Sequence, residues 1–145
     1  MSQSNHFIIE SEAAMEAFGA KLALSCKSGD CIVLNGPLGA GKTTLVRGFL
    51  KSLGHQGIVK SPTYTLVETY KLNNRNINHF DLYRIAKPEE LEYIGWRDYF
   101  ADQAINLIEW PEKAESLLPS PNYVITIKLL TENRRELTLS PLVNC

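Results

Sequence analysis

Gly36, Pro37, Leu38, Gly39, Ala40, Gly41, Lys42 and Thr43 follow the spacing GxxxxGK[ST]. Glycines at these positions let the backbone turn tightly and aim N–H groups at phosphate oxygens. A helix starting right after the loop adds the positive end of its dipole to the same anion. Lys42 brings a full positive charge toward the β- and γ-phosphates, and the Thr43 hydroxyl is the expected Mg²⁺ ligand. Such a loop needs an apolar strand before it and a helix after it. Residues 30–35 (DCIVLN) read as a buried strand, and residues 42–53 as a helix with Gly54 just past its end. A nucleoside triphosphate with Mg²⁺ is therefore the expected ligand.

Hydrolysis needs more than the loop. The metal and the attacking water require acidic or polar groups at the ends of neighbouring strands. Asp81 ends the run INHFD and Glu109 ends AINLIE. Glu109 is the better candidate for the metal and Asp81 for positioning water, although the sequence also supports the swapped assignment. Between the loop's helix and the next strand lies Ser61-Pro62-Thr63-Tyr64-Thr65. This is where many P-loop proteins carry a segment that senses the γ-phosphate. Trp110 by itself reads as a core or surface-patch residue, and His79 as a structural histidine beside a strand end.

The rest of the chain must position these groups. Residues 6–10 read as a strand. Residues 11–27 read as a helix with Ser11 as N-cap and Met15, Phe18 and Leu22 on one face. Residues 63–72 and 77–83, around a turn at NNRN, read as an antiparallel hairpin. Pro88, Glu89 and Glu90 suit the first turn of a helix. Residues 104–109 form an apolar strand, and Pro111 starts a short helix. Residues 123–130 and 136–139 are closing strands around a polar turn at 131–135. Strand–helix alternation followed by hairpins predicts an α/β fold. The expectation is a single P-loop NTPase-like domain over 1–145, with a mixed parallel and antiparallel sheet flanked by helices.

The 145 residues suffice for one sizeable core. A net charge of -1 with scattered basic residues offers no Lys/Arg stripe of a self-sufficient nucleic-acid binder. Any nucleic-acid role is then shared with a partner. The start of the chain, residues 1–10, lacks the pattern of a secretory signal, and no apolar stretch approaches membrane-spanning length. Cys26, Cys31 and Cys145 are odd in number and lack CxxC spacing, as expected of reduced thiols in a cytoplasm.

Taken together, LNGPLGAGKTT (34–44), SPTYTLVE (61–68), HFDLYR (79–84), PEELE (88–92) and IEWPE (108–112) resemble the bacterial TsaE (YjeE) ATPase family, in that family's order and over nearly the whole chain. The resemblance implies a part in forming N6-threonylcarbamoyladenosine in tRNA beside the anticodon. It implies ATP and Mg²⁺ as cofactors, and the proteins TsaD and TsaB as partners. In that family ATP hydrolysis supports repeated turnover of the transferase subunit, TsaD. The family's phosphate site falls on residues 36–43, with Thr44 beside it. Glu109 is implied as the second Mg²⁺ ligand, Asp81 as important for hydrolysis, and Ser61, Pro62 and Thr63 as similar to a switch. Trp110 is implied as functional. Ser11 or Glu12 near the adenine and Arg134 in the late turn are weaker matches. No motif position departs from the family pattern.

Three other readings compete. A P-loop small-molecule kinase would need an acceptor lid, and no Arg-rich lid is evident. A GTPase-type switch would need NKxD and DxxG, which are absent. A nucleotide-gated adaptor would bind without turnover.

Overall fold

The computed structural model describes residues 5–101 and 103–141. Cys145 and residues 1–4 lie outside them. Strands are β1 (Asn5–Ile9), β2 (Cys31–Asn35), β3 (Val67–Leu72), β4 (Arg75–Asp81), β5 (Ile105–Glu109), β6 (Tyr123–Leu129) and β7 (Arg135–Pro141). Helices are α1 (Glu12–Ser25), α2 (Lys42–Ser52), α3 (Glu90–Tyr93) and α4 (Trp96–Ala101), with a 3-10 turn at Pro111–Lys113.

The strands form one sheet in the order β1-β7-β6-β2-β5-β4-β3. β6, β2, β5 and β4 run parallel, whereas β7, β1 and β3 are antiparallel to their neighbours. The mixed sheet expected from the sequence is therefore present.

Register decides where the motifs meet. The parallel strands β2, β4 and β5 end at Asn35, Asp81 and Glu109, all on one edge of the sheet. β3 starts at that edge, because Val67 pairs with Phe80. β7 also starts there, because Arg135 pairs with Leu129. β1 ends there, because Ile9 pairs with Arg135. The P-loop, the Ser-Pro-Thr loop, both acids, Ser11 and the late polar turn thus converge on the carboxyl edge of the parallel strands, where open α/β sheets bind ligands.

Strand alternation separates two cores. Ile32, Leu34, Ile105, Leu107 and Ile77 face α1 and α2, together with Leu45, Val46, Phe49 and Leu50 of α2. Cys31, Val33, Phe80 and Ile108 face the other side, with Leu91 and Trp96. Phe100 of α4 stacks on Phe80 with centroids 5.5 Å apart. Fully burying one such large side chain contributes about 1.5–3 kcal/mol.

α1 begins as expected, with the Ser11 hydroxyl accepting from the Ala14 N–H at 3.0 Å. It crosses α2 with unusual closeness. A Cβ on Gly19 would lie 2.0 Å from the Leu45 carbonyl oxygen, and one on Gly48 would lie 2.0 Å from that of Glu16. Only glycine permits this approach. Arg47 and Lys51 of α2 flank the crossing and pair with Glu16 at 3.2 and 3.5 Å.

Three elements depart from expectation. β3 starts at Val67 and not at residue 63, because residues 63–65 turn and Leu66 adopts a left-handed φ of 69°. The Pro88 region turns before α3, which starts at Glu90, and the Glu90 carboxylate accepts from the N–H groups of Ala86 and Lys87. α4 was not foreseen. The hairpin turn tightens to Asn73 and Asn74, both at positive φ, as in a type I′ turn.

Candidate functional site

Gly39 and Gly41 adopt φ of 78° and 106°, values that other residues rarely hold. They wrap the loop around the start of α2. The loop borders a cavity of about 760 Å³, ample for a small-molecule ligand. Its walls include Leu38, Gly39, Ala40, Gly41, Lys42, Thr43, Thr44, Ser11, Ser61, Thr63, Asp81, Glu109 and Trp110. Gly36 and Pro37 do not line it. The Gly36 carbonyl accepts a hydrogen bond from Lys42 Nζ at 2.6 Å.

Lys42 is buried, at 4% exposure. Its ammonium also lies 3.5 Å from the Trp110 ring centroid, a cation–π contact. Burial pulls its pKa down, while the charges of Glu109, Asp81 and Glu112 oppose that pull. Trp110 reaches this position through a left-handed backbone (φ 59°, ψ 50°) directly after β5. Tyr83 packs against the same ring, with centroids 4.9 Å apart.

Asp81 and Glu109 are register partners on adjacent parallel strands, and both are buried. They face the α2 side of the sheet, because Ile77 and Leu107, in phase with them, pack there. Each has distinct partners. Glu109 Oε2 accepts from the Thr43 hydroxyl at 3.1 Å and lies 2.6 Å from His79 Nε2. Asp81 Oδ2 accepts from the Thr63 hydroxyl at 3.1 Å, and Oδ1 accepts from the Tyr83 N–H at 3.0 Å. Ser61 and Thr63 share a hydrogen bond of 2.8 Å. The Asp81 N–H donates to Leu66 at 3.0 Å, so the 61–66 loop is tied to Asp81 twice.

The donors suit Mg²⁺. Thr43 Oγ1 and Glu109 Oε2 are hard oxygen atoms beside the phosphate loop. No cluster of three or more His, Cys, Asp or Glu side chains suited to a metal exists among the described residues. A cation that takes one or two protein oxygens and fills its shell with phosphate and water needs none.

Arg134 departs from expectation. It does not line the cavity, and its Nε pairs with Glu10 at 3.4 Å. Arg135 lines it instead, donating to the carbonyls of Gly39 and Ala40 at 3.3 Å. The late turn closes at Arg134, whose carbonyl accepts from Leu130, and side-chain direction alternates from there. Tyr83, Arg84 and Asn133 also line the cavity and had no assigned role. Arg84 and Tyr83 follow Asp81 at the same strand end, a signal that was available. Arg84 is engaged by Tyr64, with a 3.1 Å bond to its hydroxyl.

A mixed sheet whose parallel strand β2 leads into a glycine-rich loop that opens onto this cavity defines a P-loop nucleotide-binding protein of the NTPase-like class. The family model for "Threonylcarbamoyl adenosine biosynthesis protein TsaE" matches residues 9–137. The chain belongs to the TsaE family. The tRNA threonylcarbamoyladenosine biosynthesis protein TsaE of Haemophilus influenzae is 50% identical over 131 residues, 87% of this chain and 83% of that one. The protein of the same name from Bacillus subtilis is 40% identical over 126 residues, covering 86% and 78%. The crystal structure of Bacillus subtilis YdiB superposes with a TM-score of 0.84 at 30% identity, over 99% of this chain and 89% of that one.

Proposed function

We propose that this chain is an ATPase of tRNA threonylcarbamoyladenosine formation, binding ATP with Mg²⁺ and working with TsaD and TsaB. The observation that carries the reading is the Thr43–Glu109 contact at 3.1 Å beside the phosphate loop. Family membership supports the tRNA-modifying role and does not favour the small-molecule kinase reading.

The residues divide the work. Loop N–H groups and the start of α2 receive the phosphates. Lys42 supplies charge once it leaves the Gly36 carbonyl. Thr43 and Glu109 would hold Mg²⁺, which when bound neutralises charge on the phosphate oxygens. Asp81 is placed to orient water, and Thr63 reports on Asp81 through their hydrogen bond. The wall formed by Ser11 and Glu12 would take the base. Among the described residues, the two arginines that line the cavity are both engaged, Arg84 by Tyr64 and Arg135 by the Gly39 and Ala40 carbonyls, so hydrolysis by the isolated chain is expected to be weak. The 1–145 chain is read as one domain.

Reconstitution tests this. With TsaD, TsaB and tRNA, many rounds of modification should require this protein and ATP, and Lys42→Ala should fail to support them. Fast phosphate release by the chain alone, or full modification without it, would contradict the proposal.

A further inference from the structure

His79 is fully buried and does not line the cavity. Its Nε2 lies 2.6 Å from Glu109 Oε2, the oxygen that also accepts from Thr43. Its Nδ1 is buried with no hydrogen-bond partner among the described residues. A carboxylate oxygen needs a donor, so Nε2 carries a proton. An unpaired buried polar atom is costly. On a strand whose alternate position Ile77 is plain core, an apolar side chain would avoid that cost. The short bond to a charged acceptor offsets it.

We propose that His79 is the positioning residue of the metal-site carboxylate: it fixes the plane of Glu109 from the neighbouring strand β4. The inference rests on the reading of Glu109 as a metal ligand. Thr43 sits at the cavity and its hydroxyl can rotate. His79 is walled in by the α1 and α2 core and cannot. The orientation of Glu109 therefore depends on β4, although its chemistry is exercised on β5. Losing a partner of this kind typically costs 10–100-fold in metal affinity.

Affinity for a fluorescent ATP analogue, titrated with Mg²⁺ and in EDTA, tests the inference. His79→Gln can place its amide nitrogen near Nε2, whereas His79→Asn is too short. His79→Asn should raise the Mg²⁺ concentration for half-maximal effect roughly 10-fold or more, leaving affinity in EDTA unchanged. His79→Gln should stay within about 3-fold of wild type, a fraction of that range. Equal behaviour of the two variants overturns the inference. Glu109→Ala is the separate control: if it keeps the Mg²⁺ effect, the metal-site reading itself fails. If it loses the effect and His79→Asn keeps it, only the positioning role fails. A measurement on the unmutated protein stands whatever the variants' folding. Imidazole ¹⁵N shifts should show His79 protonated at Nε2, and a neutral ring with its proton on Nδ1 overturns the inference.

Discussion

Lys42 Nζ rests 3.5 Å above the centre of the Trp110 ring while donating to the Gly36 carbonyl. A triphosphate must draw the ammonium off both. The ring would then lose a cation from its face, so its emission should change on binding. In a Trp96→Phe background, which leaves Trp110 as the only tryptophan, saturation with a non-hydrolysable ATP analogue should shift fluorescence. An unchanged spectrum at proven saturation would show that Lys42 stays where it is.

Lys42→Ala removes the only full charge the loop brings to the phosphates. The expected loss in triphosphate affinity is at least about 3 kcal/mol, or 10²-fold, as for a charged buried hydrogen bond. Calorimetric titration reads it, and wild-type affinity would refute the role.

Glu109→Ala should separate binding from turnover. Nucleotide affinity in EDTA should stay near wild type, because the loop and α2 remain. Phosphate release in the assembled complex should fall by about 10²-fold or more, as with loss of one preorganised electrostatic group. Unaltered release would move the metal role elsewhere, Asp81 being the first place to look.

Much of this site was legible because its chemistry is local in the chain. The loop, Ser11 as a cap and the two acids at strand ends follow from spacing and periodicity. What was hidden depends on register. His79 reads as a structural histidine until β4 and β5 are paired, which sets its ring against Glu109. Arg134 and Arg135 are neighbours where the late turn enters β7, and only the β6–β7 pairing decides which faces the cavity. The segment 63–66 carries strand-forming residue types, but Leu66 takes a left-handed φ and its carbonyl bonds Asp81, so tertiary contacts override propensity. α4, WRDYFA, is short and aromatic, and its packing on Phe80 holds it more than its helix propensity does.

Burial pushes the Cys26 and Cys31 thiols up to about 12, with the Asp30 charge adding to the effect. Unfolded thiols ionise near ~8.5. Below that pH both states are protonated and the cysteines confer no pH dependence. Above it the unfolded chain ionises while the native one does not, so stability falls as pH rises toward 12. Each thiol should contribute about 1.4 kcal/mol per pH unit in that window. Urea midpoints between pH 8 and 10 measure the slope, and Cys26→Ala with Cys31→Ala should flatten it.

Gly48→Ala would force a methyl group into the Glu16 backbone. A loss of about 3 kcal/mol or more is expected from such overpacking, read by urea unfolding. A change below about 0.5 kcal/mol, the usual range for surface substitutions, would mean that the helices separate easily.

That crossing has one more effect. Ser11 and Glu12 open α1 on the cavity wall, and Gly41 to Thr44 open α2 on it as well. With Gly19 and Gly48 locking the two axes together, the interval between those ends is preset. The two helix starts therefore form a fixed part of the cavity wall, and adjustment is left to the loops that carry Thr63, Tyr83 and Trp110.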